Sequence, residues 1–475
     1  MSKLRLLVAA IVAFATPVLA QTQAAGAPQS SATSARVGPE HGTVIVVGGG
    51  SMPHDIYAAF IAAAGGPDAL IVDVPTAGGA AAYGDQTPSS VGWMRAGARN
   101  VVVLHTTDRK LADTDSFPSV LARARGVWFE GGRQFHLVDS YAGTRTERAF
   151  HDVLARGGVV GGSSAGASIL GDFLVRGAPS NDNMIMDDPS HEKGFAFLRG
   201  VAIDQHVVAR SRLPDLADSI MPKYPNLLGM SEDEGTAWVV RGDTARIIGY
   251  DKAFAYRGHE TDPGKPFLTL HPGDVYDLGA RRVVSRALAS SPITEAFVDS
   301  LFSSVGAAHR ATVLVARGGA VLIDKSYGVP DQPRFIPTTT EPQFPLGGLS
   351  DVFRALCSRM TVSTASADTT FRTCVARRLS PVIGMHRTRV EDGQVWSDVD
   401  ELYRLAVGLD ENPMLMRAAS GLATGDAFAT PDGRRAAFVR DASDHVTVIV
   451  VTNDDGFEAK HVATTMLERL KSTSH

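Results

Sequence analysis

The chain has 475 residues, 44% of them apolar and 20% charged, with a formal net charge of −5. That balance is ordinary for a globular protein, and the lack of any basic tract excludes a nucleic-acid-binding role. Beyond residue 20 no apolar stretch is long enough to span a membrane, and with no C-x-x-C or H-E-x-x-H pattern neither a metal nor a cofactor has local support.

Residues 1–20 read as a secretory signal rather than as part of the fold. Lys3 and Arg5 precede the apolar run from Leu6 to Leu19, and Val18-Leu19-Ala20 before Gln21 obeys the small-residue rule for cleavage. The expectation is export, to the periplasm or beyond. Residues 21–41, rich in Ala, Ser, Gln and Gly without periodicity, read as a disordered leader. The rest of the chain is too long for one ordinary core and divides into two domains, 42–286 and 287–475. Both cysteines, Cys357 and Cys374, lie in the second. In an exported protein they are equally compatible with a disulfide and with buried thiols.

In the first domain, short apolar runs alternate with helical ones. Residues 43–47, 69–74, 100–104, 126–129 and 158–162 are predicted buried strands, each bounded by Gly or polar turns. Residues 53–64 carry Ile56 and Phe60 at i, i+4 and stop at Gly65-Gly66; residues 144–155 stop at Gly157-Gly158. This alternation predicts an α/β fold, a mostly parallel sheet with helices on both faces, whose sites form at the carboxyl ends of strands. The Gly48-Gly49-Gly50 turn after the first strand lacks dinucleotide-binding spacing, because Pro53 stands where the third Gly belongs; a tight strand-to-helix turn accounts for the glycines.

Gly162-Ser163-Ser164-Ala165-Gly166 is the stretch that carries chemistry. A strand running into a turn with Gly on both flanks lifts Ser164 onto an elbow, and the N–H groups of the helix from Ala165 face developing negative charge. A serine hydroxyl is a weak nucleophile near neutral pH and needs a base held in the right tautomer. Three further segments bear on this. Phe129-Glu130-Gly131-Gly132-Arg133-Gln134 offers unshielded backbone N–H groups. Asp204-Gln205-His206 is followed by Arg210 and Arg212, and an acid cluster, Glu232-Asp233-Glu234, precedes a strand from Ala237.

Taken together and in this order, these segments resemble the cyanophycinase and dipeptidase E family of serine peptidases, which are similar in fold to class I glutamine amidotransferases. The resemblance implies Ser164 as nucleophile, His206 as general base and Glu234 as the orienting acid, with Asp233 or Glu232 as fallback. It further implies an oxyanion hole from the N–H groups of Gly132 and Ala165, and a substrate pocket of Gln134, Asp204, Gln205, Arg210 and Arg212. The order Ser, His, Glu differs from the Ser, acid, His of α/β-hydrolases. The implied partner is a peptide or cyanophycin-like polymer, a poly-aspartate backbone bearing arginines. Departures at Arg133, Val207-Val208 and Asp215 bear on specificity more than on chemistry. An aspartyl dipeptidase is the rival activity, and a periplasmic binding protein without catalysis the rival class.

From about residue 287 the pattern changes to an α+β one. A helix is expected over residues 293–307, a hairpin over 311–326, antiparallel strands over 434–439 and 445–451, and a closing helix over 460–471. Here Val313-Leu314-Val315-Ala316, Lys325-Ser326-Tyr327-Gly328 and the segment 396–402 resemble the serine β-lactamase and penicillin-binding-protein-like family. Its catalytic box is missing: Gly348 stands at the nucleophile position and Asp351 at the lysine position, and no lysine occurs between Lys325 and Lys460. The expectation is a shortened, non-catalytic domain that stabilises the first, forms a homodimer, or binds a polymer or cell-wall material.

Overall fold

The computed structural model describes residues 36–471 except 180–184, 186–187, 307–308, 329–342, 361–366, 421–426, 430–433 and 442. The expected signal segment, and the expected leader up to residue 35, lie outside the described residues. The remainder of the expected leader does not: the N–H groups of Val37 and Gly38 donate to Asp243 Oδ1 at 2.9 and 2.8 Å, and Val37 O accepts from the Arg199 N–H. Residues 36–41 are thus tied to the fold, a tertiary contact that composition does not reveal.

Strands β1 (Thr43–Val47), β2 (Leu70–Val74), β3 (Asn100–Val103), β4 (Gly126–Phe129) and β5 (Val159–Ser163) pair in parallel, in the spatial order β1-β5-β4-β2-β3. Val44 and Val46 of β1 face one core cluster while Ile45 and Val47 face the other. Burial on both faces is why β1, β2, β4 and β5 read as unbroken apolar runs. β3 departs from the expected buried strand: it lies at the edge of the sheet, with Asn100 exposed and Val101, Val102 and Val103 only half-buried. Helices His54–Ala64 and Arg145–Ala155 cover the sheet. The first ends in Gly65 at φ 105°, and Thr144 caps the second by accepting from the Glu147 N–H. Phe60 packs on Trp93 and Trp128 with ring centroids 4.6 and 5.4 Å apart.

Further pairing joins segments whose local pattern does not announce it. β6 (Phe173–Leu174), β7 (Val201–Gln205), β8 (Leu228–Glu232), β9 (Thr236–Arg241), β10 (Thr244–Gly249), β11 (Ala253–Tyr256), β12 (Phe267–Leu270), β13 (Val275–Asp277) and β14 (Arg282–Ser285) come next in the chain. β9, β10, β13 and β14 extend the first sheet antiparallel beyond β1, making it nine-stranded. β6, β7, β8, β11 and β12 form a second sheet, in which β7 and β8 are parallel. The alternation of strands and helices did not foretell this division, because the pattern of a strand does not specify which sheet it joins.

After Glu295–Leu301, a helix shorter than the expected 293–307, come β15 (Ala311–Arg317) and β16 (Ala320–Tyr327), paired as a hairpin. β17 (Phe344–Pro345), β18 (Arg389–Glu391) and β19 (Gln394–Ser397) make a three-stranded sheet; β20 (Ala427–Ala429), β21 (Ala436–Asp441) and β22 (Val446–Thr452) complete a five-stranded antiparallel sheet, order β16-β15-β22-β21-β20. Helix Ala459–Lys471 closes the chain. Cys357 and Cys374 are disulfide-bonded, tying helix Ser350–Met360 to helix Ala367–Cys374.

The two halves share a buried polar interface. Arg404, on helix Val399–Glu411, is fully buried; it ion-pairs with Asp251 and, at 3.3 Å, with Asp233, and lies 5.0 Å over the Tyr250 ring. Lys252 pairs with Asp324 at 2.8 Å and Asp400 at 2.9 Å. Removing one partner of such a set strands the others without water. Arg404→Ala is therefore expected to lower the unfolding free energy by about 3–5 kcal/mol, read from the urea midpoint.

Candidate active site

Ser164 occupies the corner between β5 and the short helix Ala165–Ser168, at φ 58° and ψ −118°. A non-glycine residue there costs about 1–3 kcal/mol and persists only where its surroundings enforce it. Enforcement is visible on both sides: the Ser164 N–H donates to Val47 O at 3.0 Å, and Gly166 packs so closely that a side-chain carbon would lie 2.0 Å from Phe129 O. The glycine of the motif is a packing requirement.

His206 follows β7, also at positive φ, 57°, with its N–H donated to Gly48 O at 3.1 Å. Asp233 shapes the turn beyond it, accepting from the N–H groups of Val208 and Ala209 at 3.0 and 2.9 Å. The buried imidazole stands 2.8 Å by Nε2 from Ser164 Oγ, and its Nδ1 is hydrogen-bonded to Glu234 Oε1. With a carboxylate accepting at Nδ1, the proton resides there and Nε2 is free to accept from the serine hydroxyl. Burial lowers the His206 pKa against the opposing pull of Glu234, with Arg210 and Arg212 adding to the lowering. At Glu234 burial pushes upward, but His206 and His386 outweigh it and hold the carboxyl well below the usual carboxylate range. Neither Asp233 nor Glu232 replaces it beside His206: Asp233 serves the turn and Arg404, while both Glu232 carboxylate oxygens are buried without a partner among the described residues.

The Gly48-Gly49-Gly50 turn has a stronger reason than chain reversal. A side-chain carbon on Gly49, at φ 103°, would lie 2.1 Å from His206 Cε1, and one on Gly50 would lie 2.5 Å from Glu234 Oε2. These glycines make room for the imidazole and the carboxylate.

Ala165 adjoins Ser164 at the start of its helix. In the glycine pair it is Gly131 that lies against the serine, since a carbon built there would be 3.2 Å from Ser164 Cβ; Gly132, at φ 145°, presses on Ala77 O. Among the described residues neither the Gly132 nor the Ala165 N–H has a hydrogen-bond acceptor. Gln134 is buried at the first turn of helix Gln134–Tyr141, with no described bond to the other candidates.

The polar residues around His206 form a network that sequence reading captured only in part. Fully buried Asp204 pairs with Arg176 at 2.5 Å, and Arg176 also pairs with Asp215. Asp215 is thereby a partner of a cation rather than a loose acid. Gln205 donates to Ser168 Oγ at 3.1 Å and accepts from Arg212 Nη1 at 3.0 Å. Burial, with Arg176 nearby, lowers the Arg212 pKa to about 10, so the guanidinium remains charged at neutral pH. Arg210 is exposed, and no side-chain bond is described for it. Arg176 and His386 lie in no motif that sequence could flag; only the fold brings them here.

A strained serine at a strand end, a buried neutral imidazole and a low-pKa carboxylate are the parts of a serine hydrolase. Residues 41–248 match peptidase family S51, and that match, with the cyanophycinases to which the chain is similar, supports a serine peptidase in this N-terminal half. The chain is 28% identical to the cyanophycinase of Synechococcus elongatus over 274 residues, 52% of this chain and 82% of the relative. With the cyanophycinase of Geminocystis herdmanii it shares 27% identity over 255 residues, 50% of this chain and 91% of the relative. Among solved structures, a peptidase from an acI-B1 Actinobacterium aligns over 52% of this chain and 98% of its own at 22% identity and TM-score 0.39.

Two outcomes test the geometry. Gly49→Ala is expected to cut turnover by about 100-fold by displacing His206, with the protein still folded by circular dichroism. Because burial lowers the His206 pKa, the neutral base survives as pH falls, so the acid limb of the kcat/KM profile is expected below the ordinary imidazole value of about 6.5.

Proposed function

We propose that this protein is an exported exopeptidase that hydrolyses cyanophycin, or related β-aspartyl peptides, to β-aspartyl-arginine dipeptides through an acyl-enzyme on Ser164. The observation that carries the reading is the unbroken line Ser164 Oγ, His206 Nε2 at 2.8 Å, and His206 Nδ1 on Glu234. Ser164 Oγ attacks the scissile carbonyl carbon while its proton passes to His206 Nε2. The N–H of Ala165 and those of the Gly131-Gly132 turn receive the oxyanion. The imidazolium, steadied by Glu234, returns the proton to the departing amine as the C–N bond breaks. Water, deprotonated by the same histidine, then releases the acyl group and restores the serine.

Substrate assignment draws on the names of the relatives and on the pocket chemistry. Arg210 and Arg212 supply guanidinium forks suited to a substrate carboxylate, and Asp204 with Gln205 and Gln134 supplies acceptors for a cationic group. The bond between Arg212 and Gln205, and the Arg176 that neutralises Asp204, favour carboxylate recognition over binding of the arginine side group.

Export is supported by the basic and apolar start of the chain and by the Cys357–Cys374 disulfide, a bond that persists in oxidising compartments. The boundaries 42–286 and 287–475 are proposed as those of the peptidase and of a degenerate β-lactamase-like domain. Its five-stranded antiparallel sheet with a C-terminal helix supports that likeness, and Gly348 and Asp351 deprive it of chemistry.

Incubating the purified protein with cyanophycin, and separately with α-aspartyl dipeptides, decides the substrate. Release of arginine-containing dipeptides by the wild type and a loss of at least about 1,000-fold in Ser164→Ala are expected; turnover of α-linked dipeptides alone overturns the assignment in favour of an aspartyl dipeptidase. N-terminal sequencing of protein from the exporting cell is expected to begin at Gln21, and an intact Met1 terminus contradicts cleavage.

A further inference from the structure

Glu234 has a second carboxylate oxygen for which the Ser164, His206 and Glu234 line gives no use. Oε2 is buried and accepts no hydrogen bond of regular geometry among the described residues, yet Nε2 of His386 stands in close charge contact with it. His386 comes from the C-terminal half. Its side chain is 39% exposed while that of Glu234 is 7%, so the imidazole roofs the carboxylate from the solvent side.

The segment that carries His386 is anchored on both flanks. The His386 N–H donates to Glu401 Oε1, and the N–H groups of Arg387 and Thr388 to Glu401 Oε2, each at 3.1 Å. Glu401 is fully buried, and its own N–H is capped by Asp398 Oδ1 at 2.9 Å. Arg387 binds the Asp398 carboxylate through Nε at 2.9 Å and Nη2 at 3.1 Å. Two residues earlier, Gly384 O accepts from Arg404, whose guanidinium also reaches Asp233, the neighbour of Glu234 in the chain. One rigid set of buried charges therefore fixes both Glu234 and the residue facing it. Burying so many ionic groups is costly unless all are paired, and the outcome here is a single imidazole placed on a single carboxylate.

We propose that His386 is a positioning residue for the hydrolytic site, and that the N-terminal half is catalytically complete only with the C-terminal half docked. This rests on the reading of Ser164, His206 and Glu234 as a triad. A carboxylate with one partner is free to turn about its last torsion, and a buried oxygen left alone is destabilising. Engaging Oε2 removes both faults and keeps Oε1 toward His206 Nδ1. The C-terminal half then contributes to catalysis without a nucleophile of its own.

The test uses full-length wild type, His386→Ala and His386→Gln, with three readouts: the rate of Ser164 phosphonylation by a fluorophosphonate, kcat and KM on the peptide substrate, and Tm. His386→Ala is expected to slow phosphonylation and kcat together by about tenfold or more, with KM and Tm little changed. His386→Gln, which keeps an N–H donor, is expected to recover most of the loss. Labelling of His386→Ala within about twofold of wild type overturns the proposal, as does equal loss in both variants accompanied by a lowered Tm, which marks a purely structural residue. A wild type that resists the reagent refutes the triad itself, and the inference with it.

Discussion

The arrangement hangs on the Asp233 carboxylate, buried between the two halves of the chain. One of its oxygens collects the N–H groups of Val208 and Ala209 and so bends the chain immediately after His206. The other faces Arg404, which it shares with Asp251. Burial pushes the Asp233 carboxyl upward; at Asp251 burial is outweighed by Arg404 and the carboxyl is held down. The turn that aims the histidine and the salt bridges that join the halves are therefore one structure. A loss at either end propagates to the other through a group with no water to replace the missing partner.

Around that anchor the site is built by close approach. Ser164 and His206 both sit at positive φ, where ordinary residues are strained, and each is held by a hydrogen bond to the strand-and-turn segment Val47-Gly48. The strain is tolerated because the segments that bear it are ends of buried strands, whose own pairing is not in question. Electrostatics act in the same direction. Burial lowers the His206 pKa and so favours the neutral imidazole, while Glu234, with an imidazole near each oxygen, is held ionised.

The pocket is organised differently from the reacting groups. Asp204, Arg176, Asp215, Gln205 and Arg212 neutralise and orient one another, so most of the charge near the serine is internally satisfied. Exposed Arg210 stands apart from that set.

Local sequence determined a good deal. The apolar runs of β1, β2, β4 and β5 were legible because burial on both faces removes all alternation, and Gly65 and Thr144 punctuated the helices by backbone demands that are local in origin. Ser164, His206 and Glu234 were singled out by the resemblance of their short segments to a known family, and the structure brings the three within hydrogen-bonding reach of one another. Tertiary structure alone decided the rest. The antiparallel arm depends on β9 pairing with β1 from far along the chain, and the separate sheet on which of several short strands meet; nothing in any of these segments encodes its partner. Gly49 and Gly50 were readable as a turn but not as the space filled by His206 and Glu234. Arg176, Arg404 and His386 carry no motif at all, because a long charged or imidazole side chain acquires its role from whatever buried carboxylate the fold sets within its reach.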